Sequence, residues 1–383
     1  MKSGRMLLRA VCVLLLALLF CLSASAEESA SMDELYREQL EASGAGDLFN
    51  SLPQETRELL ENLGITGLDA DSLTALQPQN AAGGILGLLS SESHGALGAC
   101  GVLLGIILLC ALMDSVRQTV KEPAVSEVFG VICALAACVA VLVPLSACIQ
   151  RVGEAAESSS VFMTSFVPVY AGILVTGGQA VTAASYNTVV LFVAELISLL
   201  TTGVIVPLMT VSLALGLTGS LSPGMKLDGV GNMLSKSAGW LLGITTTLFV
   251  GLLSLQGIVG AAADTLANRA IRFSISSFVP VVGGSLSEAF GAVRGCLALL
   301  KSTVGGFGIL ATALIVLPPV LECAVWAIGL SLCGAAAELF GLGPLAAVLK
   351  SAQTVVKTLI GVLAACSLFM IIATTIVTKA TAG

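Results

Sequence analysis

Glu195, Glu288 and Glu322 are carboxylates set in apolar surroundings. On insertion scales a charged side chain at the centre of a bilayer costs about 2.5 to 3.5 kcal/mol, so such residues face a bundle interior or a cavity. That position suits a proton or cation relay, which Gln179, Asn187 and Gln256 could join. It suits equally a buried or snorkelling carboxylate without a special role, the commoner case. Arg294 stands six residues after Glu288, which is not the i+3 or i+4 spacing of helix neighbours.

A second set of candidates is backbone rather than side chain. Ser165-Phe166-Val167-Pro168-Val169 recurs as Ser277-Phe278-Val279-Pro280-Val281, an offset of 112 residues. Pro168 is followed by Gly172, Gly177, Gly178 and Gln179, and Pro280 by Gly283 and Gly284. Proline without a donor beside glycine is expected to break a helix, and broken backbone at membrane depth survives only where protein or a water-filled cavity satisfies it. Broken helices in duplicated halves are the sequence pointer to a transport site. The plainer reading is a proline-kinked helix that packs through small residues. The pathway or gating candidates are therefore Pro168, Gly172, Gln179, Pro280, Gly283 and Gly284.

Other chemistry is missing. With one histidine, His94, and no C-x-x-C or H-E-x-x-H pattern, no metal site is expected. There is no phosphate loop and no G-x-S-x-G elbow, so the chain reads as no enzyme and needs no cofactor. Uphill transport would have to draw on an ion gradient or on a separate ATPase.

These candidates must be held by membrane helices. Of 383 residues 56% are hydrophobic and only 11% charged, with a mean hydropathy of +1.00. Soluble domains carry about 25% charged residues, and disordered chains are still more polar, so both classes are excluded. Stretches able to span a bilayer run over 95–113, 128–149, 189–218, 240–263, 302–332 and 358–378. Two are about 30 residues long and contain Pro207 or Pro318 and Pro319, so tilted, kinked or split helices are expected there. The 112-residue offset carries the second span onto the fourth, the third onto the fifth and Pro207 onto Pro319. We read 128–220 and 240–332 as two tandem repeats, with eight crossings favoured over six.

The amino-terminal part differs in character. Lys2, Arg5 and Arg9, an apolar run from Ala10 to Leu22 and Ala24-Ser25-Ala26 read as a signal peptide over residues 1–26. Residues 27–93 hold 13 acids against Arg37 and Arg57, an acidic extracytoplasmic head unsuited to nucleic acid or anionic lipid. Ser31-Met32-Asp33-Glu34 opens one helix that Gly44 stops, and Ser51-Leu52-Pro53-Gln54 opens another that Gly64 stops. So small a module is expected to pack on the membrane part or on a partner. Residues 94–127 hold the first span and a cytoplasmic loop, and 333–383 an amphipathic segment and the last span. The nine cysteines after the signal lie in apolar stretches and read as packing residues rather than a disulfide framework.

The layout, an all-α polytopic membrane protein with broken tandem repeats and a small helical head, resembles the stage III sporulation protein AE family. The resemblance rests on Leu48-Phe49-Asn50-Ser51-Leu52-Pro53, on the run to Ile65, and most specifically on Phe162 to Asn187 with its SFVPV-Tyr170-Ala171-Gly172, Gly178-Gln179 and Ala183-Ala184-Ser185-Tyr186-Asn187. It implies a multi-pass protein of the mother-cell membrane around the forespore, needed for endospore formation after engulfment. It also implies membership of a channel built with other stage III sporulation A proteins, including ring-forming subunits and a cytoplasmic ATPase. It implies no catalytic or ligand residues. The alternative class is a self-contained ion-coupled secondary transporter of a small solute, using Glu195 or Glu288.

Overall fold

Backbone inside a bilayer must satisfy its own N–H and C=O groups, so spans this apolar have to be helical. A computed structural model describes residues 30–65, 67–68, 78–117, 123–221, 227–278 and 283–380, and every regular element among them is a helix. The signal peptide and Pro280 lie outside the described residues. The head comprises α1 (Ala30–Ala42), a 3-10 turn (Ala45–Leu48) and α2 (Gln54–Asn62). Then come α3 (Pro78–Arg117), α4 (Pro123–Thr176), α5 (Ala180–Leu200), a π turn (Thr201–Ile205), α6 (Val206–Leu221), α7 (Leu227–Phe278), α8 (Gly283–Leu339) and α9 (Gly343–Ala380).

Among the described residues six helical runs, from His94–Ser115 to Gly343–Thr375, are long and apolar enough to cross a membrane. The chain is a multi-pass membrane protein. The uncharged stretches of the sequence fall inside these helices one by one. The π turn lies immediately before Pro207, where the missing proline N–H frees a carbonyl and a wider turn absorbs the misfit. Thus the long third span is interrupted, as its length led us to expect.

One of the SFVPV copies is placed differently from expectation. The first does not break its helix: Pro168 lies within the continuous α4, so this segment is neither an eighth-crossing helix nor a re-entrant turn. A column of rings explains why. Phe162, Phe166 and Tyr170 recur every four residues on one face and are fully buried, with centroids 5.7 and 5.5 Å apart. Phe307 of α8 and Tyr186 of α5 meet the column edge-on at 6.5 and 5.5 Å. Such pairs add about 0.5 to 1.5 kcal/mol each beyond burial, enough together to offset the lost bond at an exposed proline. The second copy leads α7 to its end at Phe278, and Gly283 and Gly284 begin α8.

Interhelical contacts fix the heights of the elements. With the Gly177–Gln179 turn placed uppermost, α4 rises, α5 and α6 descend, α7 rises, α8 descends and α9 rises. Cys138 of α4 donates to the Leu217 carbonyl of α6 at 3.9 Å, and Ser212 of α6 to the Gly231 carbonyl of α7 at 2.8 Å. Higher up, Arg151 of α4 meets Glu322 of α8, and Gly153 sits where a Cβ would come within 3.1 Å of Val206. The head rests at this same height, its Pro53–Thr56 and Glu58 sharing a groove with Arg151, Glu154, Ser158 and Pro318. Within the head, α2 closes on a left-handed Gly64 (φ 83°), with Ile65 N–H bonded to the Leu60 carbonyl at 2.9 Å. Low in the bundle, Cys110 and Cys133 form a disulfide between α3 and α4, which differs from their reading as packing residues.

Gly308 lies where any Cβ would strike the Phe166 ring, whereas Gly172 faces open space. Gly308→Ala is expected to lower stability by about 1 to 3 kcal/mol through overpacking of the ring column. Gly172→Ala should not lower it. Thermal unfolding of the purified protein in detergent, followed by circular dichroism, checks both.

Candidate functional site

The helix that carries Pro168 ends nine residues later, at Gly177-Gly178-Gln179. Here α4 ends as α2 does: Gly178 takes φ 79°, its N–H reaches the Val175 carbonyl at 2.9 Å, and the Gln179 N–H reaches the Leu174 carbonyl at 2.9 Å. Gly178 meets the positive φ without the steric cost a Cβ would carry.

Three side chains from the later helices close on this turn. Asp264 of α7 accepts the backbone N–H of Val181 on Oδ1 and that of Thr182 on Oδ2, both at 2.9 Å. Those are two of the first N–H groups of α5, which have no partner inside their own helix. A carboxylate there makes two charge-assisted bonds and meets the positive end of the helix dipole. Asp264 is only 4% exposed, which makes it a cap supplied by another helix. Asn268 Nδ2 donates to the Gly178 carbonyl at 3.0 Å, and Lys301 Nζ of α8 to Gln179 Oε1 at 3.5 Å. Gly260 lets α7 approach: a Cβ there would stand 2.9 Å from Thr182 Oγ1 and 3.1 Å from its Cα.

A second polar level crosses the bundle at Arg151. Its Nη1 lies 3.1 Å from Glu322 Oε2, with Arg151 half exposed and Glu322 nearly buried. Beside this pair the Cys148 and Cys323 sulfurs lie 3.4 Å apart. About two and a half turns higher, Ser160 donates to Glu195 Oε2 at 3.5 Å. The groove between head and bundle at this level has a volume of about 630 Å3.

The acid candidates therefore part company. Glu322 is a buried ion-pair partner, and Glu195 is exposed on α5 with a hydroxyl as neighbour. Glu288 lies in α8, and its side chain lies outside the described residues. Pro168 and Gly172 sit on the exposed side of α4, Gln179 forms the turn, and Gly283 and Gly284 open α8. Asn187 Oδ1 and Gln256 Oε1 are buried atoms without a protein partner. Among the described residues no three His, Cys, Asp or Glu side chains converge to hold a metal.

Sequence reasoning missed Asp264, Asn268, Lys301 and Arg151. Each is among the first polar residues beyond an uncharged stretch, and so reads as a mere membrane boundary. The register that brings Arg151 to Glu322, 171 positions later, has no local signature.

Residues 70–381 match the family described as stage III sporulation protein AE. The chain is 27% identical over 286 residues to stage III sporulation protein AE of Bacillus subtilis (strain 168), covering 74% of this chain and 72% of that protein. No solved structure matches it.

Asp264→Ala leaves two N–H groups, that of Thr182 buried, without an acceptor and is expected to cost about 2 kcal/mol. Asp264→Asn keeps one acceptor oxygen and should fall between that variant and the parent. Thermal unfolding ranks the three, and protease cleavage at the 177–179 turn should rise in the same order.

Proposed function

Because this chain belongs to the stage III sporulation protein AE family, and so acts in endospore formation, we propose that it is the polytopic subunit of a channel between mother cell and forespore. In this reading it lies in the mother-cell membrane around the engulfed forespore, head outward, and works with ring-forming stage III sporulation A proteins and a cytoplasmic ATPase.

The observation that carries the reading is a mismatch between apolar surface and bilayer. Below the Arg151 level, exposed apolar side chains cover α3 from Leu97 to Met113 and α4 from Ile132 to Val143. Above that level a second stripe runs along α7 from Ile244 to Leu266, about 33 Å at 1.5 Å per residue. The upper stripe alone fills a hydrocarbon core of about 30 Å, the lower one runs about 24 Å along α3, and helix tilts of up to about 40° cannot fit both into one. A bilayer on the upper stripe would also drown the acidic head with Glu154 and Glu157. Lipid on the lower stripe leaves the upper one, about 33 Å long, outside the bilayer, and that exceeds what a soluble monomer leaves bare. A protein partner outside the membrane would cover it. This surface supports membership of an assembly, and the family name supports one made with other stage III sporulation proteins.

An in-frame deletion in the native organism is expected to stop development after engulfment, with shrinking forespores under the microscope. Normal spores would sink the reading. Leu255→Asp with Ile258→Asp on the upper stripe should leave the protein in the membrane but abolish its co-purification with the other stage III sporulation A proteins. Unchanged co-purification would rule that stripe out as the docking face.

A further inference from the structure

At the height of the lower stripe the outer face of α4 is apolar throughout, whereas α7 mixes Lys236 and Asn232 with exposed Val230, Met233 and Trp240. Val139 and Val143 of α4 are exposed and apolar, 64% and 66% accessible, as lipid contact requires. The contacts of Cys138 with Leu217 and of Ser212 with Ser235 put Lys236 of α7 at about the height of Val143. The Ser351 side chain of α9 lies against Gly216, which puts Lys350 level with Val139. Lys236, Ser237 and Asn232 on α7, and Lys350 and Lys357 on α9, are nonetheless exposed. Two grooves run between and beside these helices. One, of about 620 Å3, is lined by Gly229, Asn232, Met233, Lys236, Ser237 and Trp240. The other, of about 380 Å3, is lined by Lys236, Thr354 and Lys357 among others, and the two share Asn232 and Lys236.

Lysine head groups do not face acyl chains at this depth; intramembrane cations turn to a bundle interior or to water. We propose that the lower faces of α7 and α9 form one wall of a hydrated conduit, closed by further copies of this chain, that passes small anionic solutes. The proposal rests on the channel reading above and assigns its pathway and cargo class. One helix pair cannot enclose a lumen, so neighbouring copies must complete it. Lys236, Lys350 and Lys357 give the wall a positive potential, while the serine, threonine and asparagine between them offer hydrogen bonds without a fixed binding site. Such a surface draws anions in and lets them leave.

Single cysteines tested in sporulating cells decide the matter, with a membrane-impermeant maleimide applied to opened cells and the unsubstituted protein as baseline. Lys236→Cys, Ser237→Cys and Lys357→Cys should be modified, and Val139→Cys and Val143→Cys should not. Loss of modification at all five would mean that lipid or protein covers the lysine face, and modification at all five would mean that this height lies outside the bilayer. Either result overturns the proposal. Ser237→Cys keeps every lysine and guards against a folding defect in the other two. For the cargo, Lys236→Glu with Lys357→Glu should lower spore yield about tenfold or more through loss of field focusing, and the matching glutamine pair should do so less. Equal yields at normal protein level would overturn the anionic assignment. If the deletion strain sporulates normally while Lys236→Cys is still modified, the channel reading fails and the hydrated wall stands.

Discussion

A bilayer solvates about 30 Å of apolar surface, and the helices of this protein are built to more than that length. The run from Ile132 to Thr176, 45 residues, reaches about 68 Å if straight. Everything else answers to that excess. The polar level of Arg151 and Glu322 divides α4 and α8 into two lengths, and the head settles where they meet. The π turn stands at the same level beside Gly153, so the third span changes its winding where its surroundings change from one solvent to the other.

Above the division the bundle is held by specific contacts rather than by lipid. The ring column of Phe162, Phe166 and Tyr170 ties α4 to α5 and α8, and the Asp264 cap ties α5 to α7. Both depend on glycine for close approach, at Gly308 and at Gly260. Hydrophobic burial gives no directional preference between apolar helices, so hydrogen bonds and small residues set the register here, as they do between helices in lipid.

Much of this was legible in the sequence. Uncharged stretches mark the six long helices because hydropathy is what a bilayer reads. Gly44 and Gly64 mark helix ends because the left-handed position they occupy excludes most side chains. Pro168 misled because its local cost is visible while the compensating rings at 162, 166 and 170 matter only when Phe307 and Tyr186 arrive from elsewhere. Asp264 was invisible as a cap for the same reason: its meaning lies in the height of α5 relative to α7, which periodicity does not encode. Where a residue acts on its own helix the sequence speaks plainly, and where it acts on a neighbour the fold has to be in hand.

The trans cap at Asp264 also bears on biosynthesis. Val181 and Thr182 are made 83 and 82 residues before the carboxylate that receives them. At 5 to 20 residues per second that gap lasts about 4 to 17 seconds. For that interval the α4 and α5 hairpin is complete in sequence but open at its tip, and its two N–H groups must be held by water or by the insertion machinery. The order of translation thus leaves the turn to be locked last, by a helix that has not yet been written when the turn itself is formed.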